Sequence, residues 1–472
     1  MHDLTQGVSN TPLRVAVIGS GPSGFYAIQA LFKTANLNVQ ADLLDRMPTP
    51  FGLVRSGVAP DHQKIKNVVR VYDKIASDTR FRFFGNVELG RDLHMEDLRA
   101  RYDAIILATG NESDRRLGIP GEDLAGVHSA TEFVGWYNAH PDFQSRSFNL
   151  QDARRVVIIG NGNVAVDVAR VIGRTSASLS ETDITERSLL ALEKSGVQEV
   201  VMVARRGPAQ AAFSPKELKE LAHADGCFLK VNADEVPLDS HSQAWLDEHG
   251  TKDARKNLDL LRAATDQVVP QGDIRTIHCR FLASPIEFLG EEDQLAGIVF
   301  ERNEIYVDER GNLRPRGTGE TFQVKAEIAF KAIGYRGTPI PGVPFHDAWG
   351  IVPNADGRVL DEPNGRPVTG LYVAGWAKRG PTGLIGTNSR DAQLTVALLL
   401  MDLESGAISP ETDRKSDDLP DFLTARGVTY ASWEDWQRLD AEERRLGEAK
   451  GKIREKFTTI EAMMKAMETL RP

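Results

Sequence analysis

The stretch RVAVIGSGPSGFY, Arg14 to Tyr26, limits what this chain can fold into more than any other. Val15, Ala16, Val17 and Ile18 form a short apolar run, the pattern of a strand buried on both faces of a parallel sheet. The run stops at Gly19-Ser20-Gly21-Pro22-Ser23-Gly24, and the apolar helical segment FYAIQALF follows. This is the G-x-G-x-x-G turn of a dinucleotide-binding βαβ unit. Gly19 permits the tight turn, Gly21 lets a pyrophosphate approach the backbone, and Gly24 lets helix and strand pack closely. An acid that binds a ribose hydroxyl belongs about 20 residues further on, at the end of the second strand. Asp45 stands there, 21 residues after Gly24 (45 − 24).

A second copy of the pattern opens at RRVVIIGNGNVAVDVARVIG. Val156 to Ile159 read as a strand and Val166 to Ile172 as a helix. Between them Gly160-Asn161-Gly162-Asn163-Val164-Ala165 makes a G-x-G-x-x-A turn. The two turns lie 141 residues apart (160 − 19), each led by a strand and followed by a helix. Two dinucleotide sites are expected in one chain, which at 472 residues is also too long for one ordinary core. The second unit ends its next strand, Glu199 to Ala204, on Arg205-Arg206 instead of an acid. A carboxylate repels a 2′-phosphate, whereas two guanidiniums bind it. The first site therefore suits FAD or NAD, and the second suits NADP.

Between the turns, the sequence predicts an irregular loop from Arg46, then a helix over about Asp61 to Ala76. Strands are predicted at Phe81–Val87 and Tyr102–Leu107, and a crossover at 111–126. Gly173 to Gly196 reads as an inserted polar loop and helix. Ser214 is an N-cap before Pro215 and Glu217. Residues 231–275 are polar and show no clear pattern. Further strands are expected at Thr276–Leu282, Gly297–Val307, Glu327–Ile333 and Leu371–Ala374. Gly380, Gly383 and Gly386 then lead into a helix near Thr387, and the charged tail from Ser432 reads as helical. The fold class is α/β, with two dinucleotide-binding (Rossmann-like) domains of the glutathione-reductase-like type.

Composition narrows the function. Cys227 and Cys279 are the only cysteines, which excludes a Cys-ligated iron–sulfur cluster and a C-x-x-C redox pair. A formal net charge of −10 argues against nucleic acid or an anionic membrane as the main partner. The opening MHDLTQGVSNTPLR has neither the apolar core of a signal peptide nor the arginines of a transit peptide. No metal site is expected, and the protein is expected to be cytoplasmic.

Six segments resemble the adrenodoxin reductase type of ferredoxin–NADP reductase: VIGSGPSGFYA, PFGLVRSGVAPDHQKIKNV, FVGWYN, GNGNVAVDVAR, RRGPAQAAFSPKELKEL and GWAKRGPTGLIGTN. The resemblance implies FAD in a domain built from residues 1–111 and 335–472, and NADP(H) in a domain over 112–334. It maps FAD contacts onto Ser23, Asp45, Leu53, Val87, Trp376, Gly383, Leu384 and Ile385. NADP contacts map onto Asn161, Gly162, Asn163, Val164, Ala165, Arg205, Arg206, Glu217 and Gly383. His62 and Glu220 look like the family's paired active-site groups, while from sequence alone His62 is equally a helix-start residue. The implied activity is hydride transfer from NADPH to FAD, then single-electron transfer to an acidic iron–sulfur ferredoxin, or the reverse. The other reading is an NADPH-dependent diaphorase, a quinone reductase or the reducing subunit of a larger enzyme. Arg55, Lys64, Lys66, Lys216, Lys219, Lys378 and Arg379 are the cations placed to dock such a partner.

Overall fold

Val15 to Ile18 do form a strand, Leu13–Ile18, the middle one of the five parallel strands in a seven-stranded sheet. The computed structural model describes residues 11–272, 274–383, 385–411 and 418–471. Across the sheet the order is Asn354–Ala355, Arg358–Leu360, Pro367–Val373, Ala104–Leu107, Leu13–Ile18, Val39–Asp45 and Phe81–Gly85. The last five run parallel, and the first two pair antiparallel at the edge. The C-terminal strand Pro367–Val373 thus completes a sheet begun by the N-terminal third of the chain. The helix Pro22–Lys33 buries Phe25, Ile28 and Leu31 in the same core as Val396 and Leu399 of the helix Ile385–Glu404.

The second glycine turn follows Arg155–Ile159, the third strand of a six-stranded parallel sheet. Its order is Val127–Ser129, Ile328–Lys331, Arg155–Ile159, Glu199–Val203, Arg275–Arg280, Cys227–Val231. In both sheets the glycine-led strand has its successor on one side and a later strand on the other. That reversal opens a crevice at the carboxyl ends of the strands, where ligands of such sheets bind. Ser113–Asp114 and Tyr335–Arg336 pair as a two-stranded antiparallel ribbon, so the two connecting segments cross side by side. No helix of the described residues is long and apolar enough to cross a membrane.

Three sequence expectations differ from the structure. The single helix over Asp61–Ala76 is two pieces, Gln63–Lys66 and Val69–Ala76, joined by a tight turn in which the Val68, Arg70 and Val71 N–H groups each reach back only three residues. The break lets His62 and Lys66 bury polar groups toward the second sheet while Tyr72 and Ile75 bury against the first. The patternless stretch holds the helices Ser240–His249 and Lys252–Ala263. Gln294–Val307 is flanked by two strands not foreseen, Ala283–Glu291 and Leu313–Lys325, making a three-stranded antiparallel sheet.

Candidate functional site

The two glycine turns close their sheets in the same way. Gly19 sits at φ 106°, and a Cβ on it would stand 2.5 Å from the Ala108 carbonyl oxygen. Gly160 sits at φ 135°, and its Cβ would stand 2.3 Å from the Ala332 oxygen. A Cβ on Gly24 would come within 2.1 Å of the Gly19 oxygen, so these three glycines are required by the fold itself. Gly21 and Gly162 are different. Their backbone is ordinary, φ −74° and −86°, and a Cβ on either would meet nothing within 4 Å. Nothing among the described residues requires glycine there, whereas a phosphate brought up to the helix N-terminus does. Both turns therefore fit a dinucleotide. Gly162→Val is expected to change stability by less than about 0.5 kcal/mol. It should weaken NADPH binding at least about tenfold, the equivalent of roughly 1.4 kcal/mol; a fluorescence titration beside a thermal melt checks both.

Asp45 ends its strand beside the first turn. Its Oδ2 accepts from the Ser20 N–H (2.7 Å) and hydroxyl (2.6 Å), and its Oδ1 accepts from the Met47 N–H (2.9 Å). These bonds fix the carboxylate; Oδ2 accepts twice, while Oδ1 accepts once and keeps a lone-pair direction free for a ribose hydroxyl. Val87 is buried beside it, its N–H donating to the Asp45 carbonyl. The loop that carries Leu53 lies against the turn, since a Cβ on Gly52 would come 3.1 Å from Gly21 Cα. Ser23 is buried under Gly375, whose N–H donates to Asp391 Oδ2 at 2.6 Å. Trp376 packs on Tyr335 with ring centroids 5.5 Å apart and planes tilted by 32°, its indole N–H buried without a hydrogen-bond partner among the described residues. Gly383 takes φ 82°, and Ile385 opens the helix Ile385–Glu404; Leu384 lies outside the described residues.

At the second turn, Asn163 Oδ1 accepts from the Ser214 N–H at 2.8 Å, tying the turn to the helix Pro215–Ala222. The Asn161 side-chain amide is buried with no partner. Val164 and Ala165 belong to the helix Asn163–Gly173 that follows. Arg205 is exposed, and Arg206 is half-buried with its Nε unpartnered. Burial, then the nearby charges of Arg205 and Arg314, push the Arg206 pKa down. Arg314 is paired with Asp308 at 3.0 Å, but Arg205 and Arg206 have no carboxylate partner among the described residues, and such a pair fits an anion. One residue missed in the sequence holds this loop in place: buried Asn303 donates from Nδ2 to the Arg205 carbonyl (2.9 Å) and to Ser284 Oγ (2.8 Å). It lies 98 residues away on the unforeseen sheet, with no motif to mark it. Asn303→Ala is expected to raise the KM for NADPH about fivefold, roughly 1 kcal/mol of lost loop order, with the KM for NADH unchanged; steady-state kinetics with both nucleotides check this.

The two halves meet at His62. It holds the N-cap position of Gln63–Lys66 without capping it, because the ring is turned toward the helix Pro215–Ala222. His62 Nε2 stands 2.9 Å from Glu220 Oε2 and 3.3 Å from Glu217 Oε2, and Nδ1 stands 3.8 Å from Asp167 Oδ1. The 2.9 Å approach is an ion-pair distance without hydrogen-bond alignment, and neither Nε2 nor Glu220 Oε2, both buried, has a hydrogen-bond partner among the described residues. Beside them Arg170, almost wholly buried, binds Asp61 (2.7 and 3.1 Å), Asp167 (2.7 Å) and Glu217 (3.3 Å). Burial raises the Glu217 and Asp167 carboxyls. Burial also acts to raise Asp61, but Arg170, with His62 and Arg174, outweighs it and holds that carboxyl at about 2. The Asp61 contribution to stability is therefore complete above its unfolded value of about 4 and is lost as pH falls toward 2.

Four of the seven cations expected to dock a partner are engaged elsewhere. Arg55 forms two hydrogen bonds to buried Glu443 (2.5 and 2.8 Å), and Lys66 is buried on Asp183. Lys378 pairs with Asp391 at 3.1 Å, and Arg379 bonds Asn388 and the Thr382 carbonyl. Lys64, Lys216 and Lys219 are exposed around His62 and the Glu217 helix.

Comparison with known proteins agrees with this geometry. Residues 13–224 match the pyridine nucleotide-disulphide oxidoreductase family. The NADPH-ferredoxin reductase FprA of Mycobacterium tuberculosis H37Rv is 44% identical over 462 residues, 96% of this chain and 99% of that one. The mitochondrial NADPH:adrenodoxin oxidoreductase of Arabidopsis thaliana is 39% identical over 470 residues, 97% of this chain and 96% of its own. The structure of M. tuberculosis FprA in complex with NADPH superposes with a TM-score of 0.90 over 97% of this chain and all of that one, at 43% identity. The chain belongs to the family of NADPH–ferredoxin and adrenodoxin reductases.

Proposed function

We propose that this chain is an FAD-containing ferredoxin–NADP(+) reductase, moving reducing equivalents between NADPH and an iron–sulfur protein. The observation that carries the reading is a pair of unlike cradles, one ended by Asp45 and one by Arg205-Arg206, joined at His62. FAD belongs to the first cradle and supplies the ability to take a hydride and release electrons singly. Asp45 holds its ribose, and Gly21, Ser23 and the Pro22–Lys33 helix N-terminus hold its phosphates. Leu53, Val87, Trp376, Gly383 and Ile385 enclose the rest. Gly162, with Asn161, Asn163, Val164 and Ala165, receives the NADP phosphates; Arg205 and Arg206 select the 2′-phosphate. Glu217 and Gly383 border the nicotinamide, and His62 with Glu220 orients it. Residues 1–111 and 335–472 form the FAD-binding domain, and 112–334 the NADP-binding domain. The cell compartment is the cytoplasm, and the protein partner is an acidic ferredoxin.

NADPH should bleach the bound flavin much faster than NADH does, and cytochrome c reduction should depend on added ferredoxin. A colourless protein would end the reading; acceptor turnover indifferent to ferredoxin would favour a diaphorase. His62→Gln should slow flavin reduction by NADPH roughly tenfold to a hundredfold, the cost of a misplaced nicotinamide; an unchanged stopped-flow rate removes His62 from the reaction. Lys64, Lys216 and Lys219 offer an exposed positive rim to the partner. Ferredoxin-dependent turnover should therefore fall steeply with added salt, while turnover with a neutral small-molecule acceptor stays level.

A further inference from the structure

We propose that His62 Nε2, Glu217 and Glu220 form a zinc-ion site, filled in competition with NADPH; the competition rests on the function proposed above, the metal site itself does not. Glu217 and Glu220 are three apart on the helix Pro215–Ala222, so they share a face, and His62 meets them from the other half of the molecule. Zinc with tetrahedral bonds of about 2.0 Å holds its donors roughly 3.3 Å apart. Here Nε2 lies 3.3 Å from Glu217 Oε2 and 2.9 Å from Glu220 Oε2, and one donor from each residue falls within a 4.8 Å span.

The donors are available. The His62 side chain is only 8% exposed, yet its Nε2 has no hydrogen-bond partner, and neither does Glu220 Oε2. A buried imidazole nitrogen and carboxylate oxygen 2.9 Å apart, with no hydrogen bond between them, leave lone pairs that a metal would satisfy. Glu217 is shared with Arg170 at 3.3 Å, but Arg170 keeps closer partners in Asp61 and Asp167 at 2.7 Å each. Asp167 Oδ1 lies 3.8 Å from Nδ1 on the far side of the ring, a nearby negative charge and not a hydrogen-bond partner. Glu220 is 39% exposed, which gives an ion a route in and leaves a position for water. One imidazole among the donors selects zinc over magnesium or calcium.

Zinc titrated by calorimetry into the metal-free holoenzyme should show one site of micromolar affinity, with no heat from magnesium. His62→Gln and Glu220→Gln should each weaken zinc at least about tenfold at unchanged flavin content. His223→Gln, which removes an exposed histidine capping the C-terminus of the same helix, should leave it unchanged. Saturating NADPH should weaken zinc binding, and zinc should raise the apparent KM for NADPH in a way that a chelator reverses. The inference is overturned by absence of that site, by full affinity in either glutamine variant, or by zinc binding indifferent to NADPH in an enzyme that NADPH reduces. NADPH reduction is measured first without metal, so failure of the proposed function is seen there, independently of the zinc titration.

Discussion

Replacing both Arg205 and Arg206 by alanine is expected to lower kcat/KM for NADPH about 10²- to 10⁴-fold and to change it for NADH by less than about threefold. Each guanidinium contributes a charge-assisted hydrogen bond worth about 1.5–3 kcal/mol, and about 1.4 kcal/mol corresponds to a factor of ten. The described residues provide no ion-pair partner for either arginine, so the native protein loses no internal bridge when they are removed. The Arg206 pKa is pushed down by burial and then by Arg205 and Arg314, which marks a repulsion that a phosphate relieves. Arg206→Ala alone should cost more than Arg205→Ala, because Arg206 is half-buried and its bond to phosphate is less screened. Steady-state kinetics with both nucleotides, at fixed ionic strength, check the prediction. An undiminished preference for NADPH in the double variant would remove this loop from nucleotide selection.

The parts of the site legible in the sequence share one property: their chemistry is tied to local chain geometry. Gly19, Gly24 and Gly160 announce themselves because no other residue fits where they sit. Asp45 and Arg205-Arg206 are found by counting along strands whose apolar runs are unmistakable. The pairing of His62 with Glu220 is implied by the resemblance alone; local sequence physics marks His62 only as a helix start. Illegible parts are those whose signal is long-range. Ser240–His249 buries only Ser242 and Leu246, too narrow a stripe to read against a polar background. Leu313–Lys325 is an exposed edge rich in Arg, Gly and Thr, held by pairing with Gln294–Val307 and not by an alternating pattern. Asn303 matters for its bond to a carbonyl 98 residues away, which no local rule encodes. Lys66 read as a surface charge because nothing nearby in sequence neutralises it; its partner Asp183 is 117 residues on.

That partner is the subject of the second large effect: Asp183→Ala is expected to destabilise the protein by about 3–5 kcal/mol. Asp183 accepts from Lys66 Nζ at 2.7 and 2.8 Å and meets Lys456 Nζ at 3.0 Å, and all three are buried. The cluster joins the segment after His62, the insertion after the second glycine turn and the C-terminal tail. Burial pushes both lysines below their ordinary value. Burial also acts to raise Asp183, but the two ammoniums outweigh it and hold the carboxylate well below the usual range. Without that carboxylate, two ammoniums remain in a dry interior with only neutral oxygens, those of Asn138 and Arg55. The pH dependence gives the prediction its direction. The lysines of the variant fall further below about 10.4 when folded, so the unfolded chain binds more protons and stability rises with pH. The deficit against the native protein should thus shrink from neutral toward alkaline pH. Adding Lys66→Met and Lys456→Met to Asp183→Ala should recover most of the loss, since it is the unpaired charge that costs. Thermal melts followed by flavin release, across that pH range, check all three outcomes; a deficit that is flat with pH and unmoved by the methionines would mean the cost is lost packing, and the ion cluster would not be what ties the two halves together.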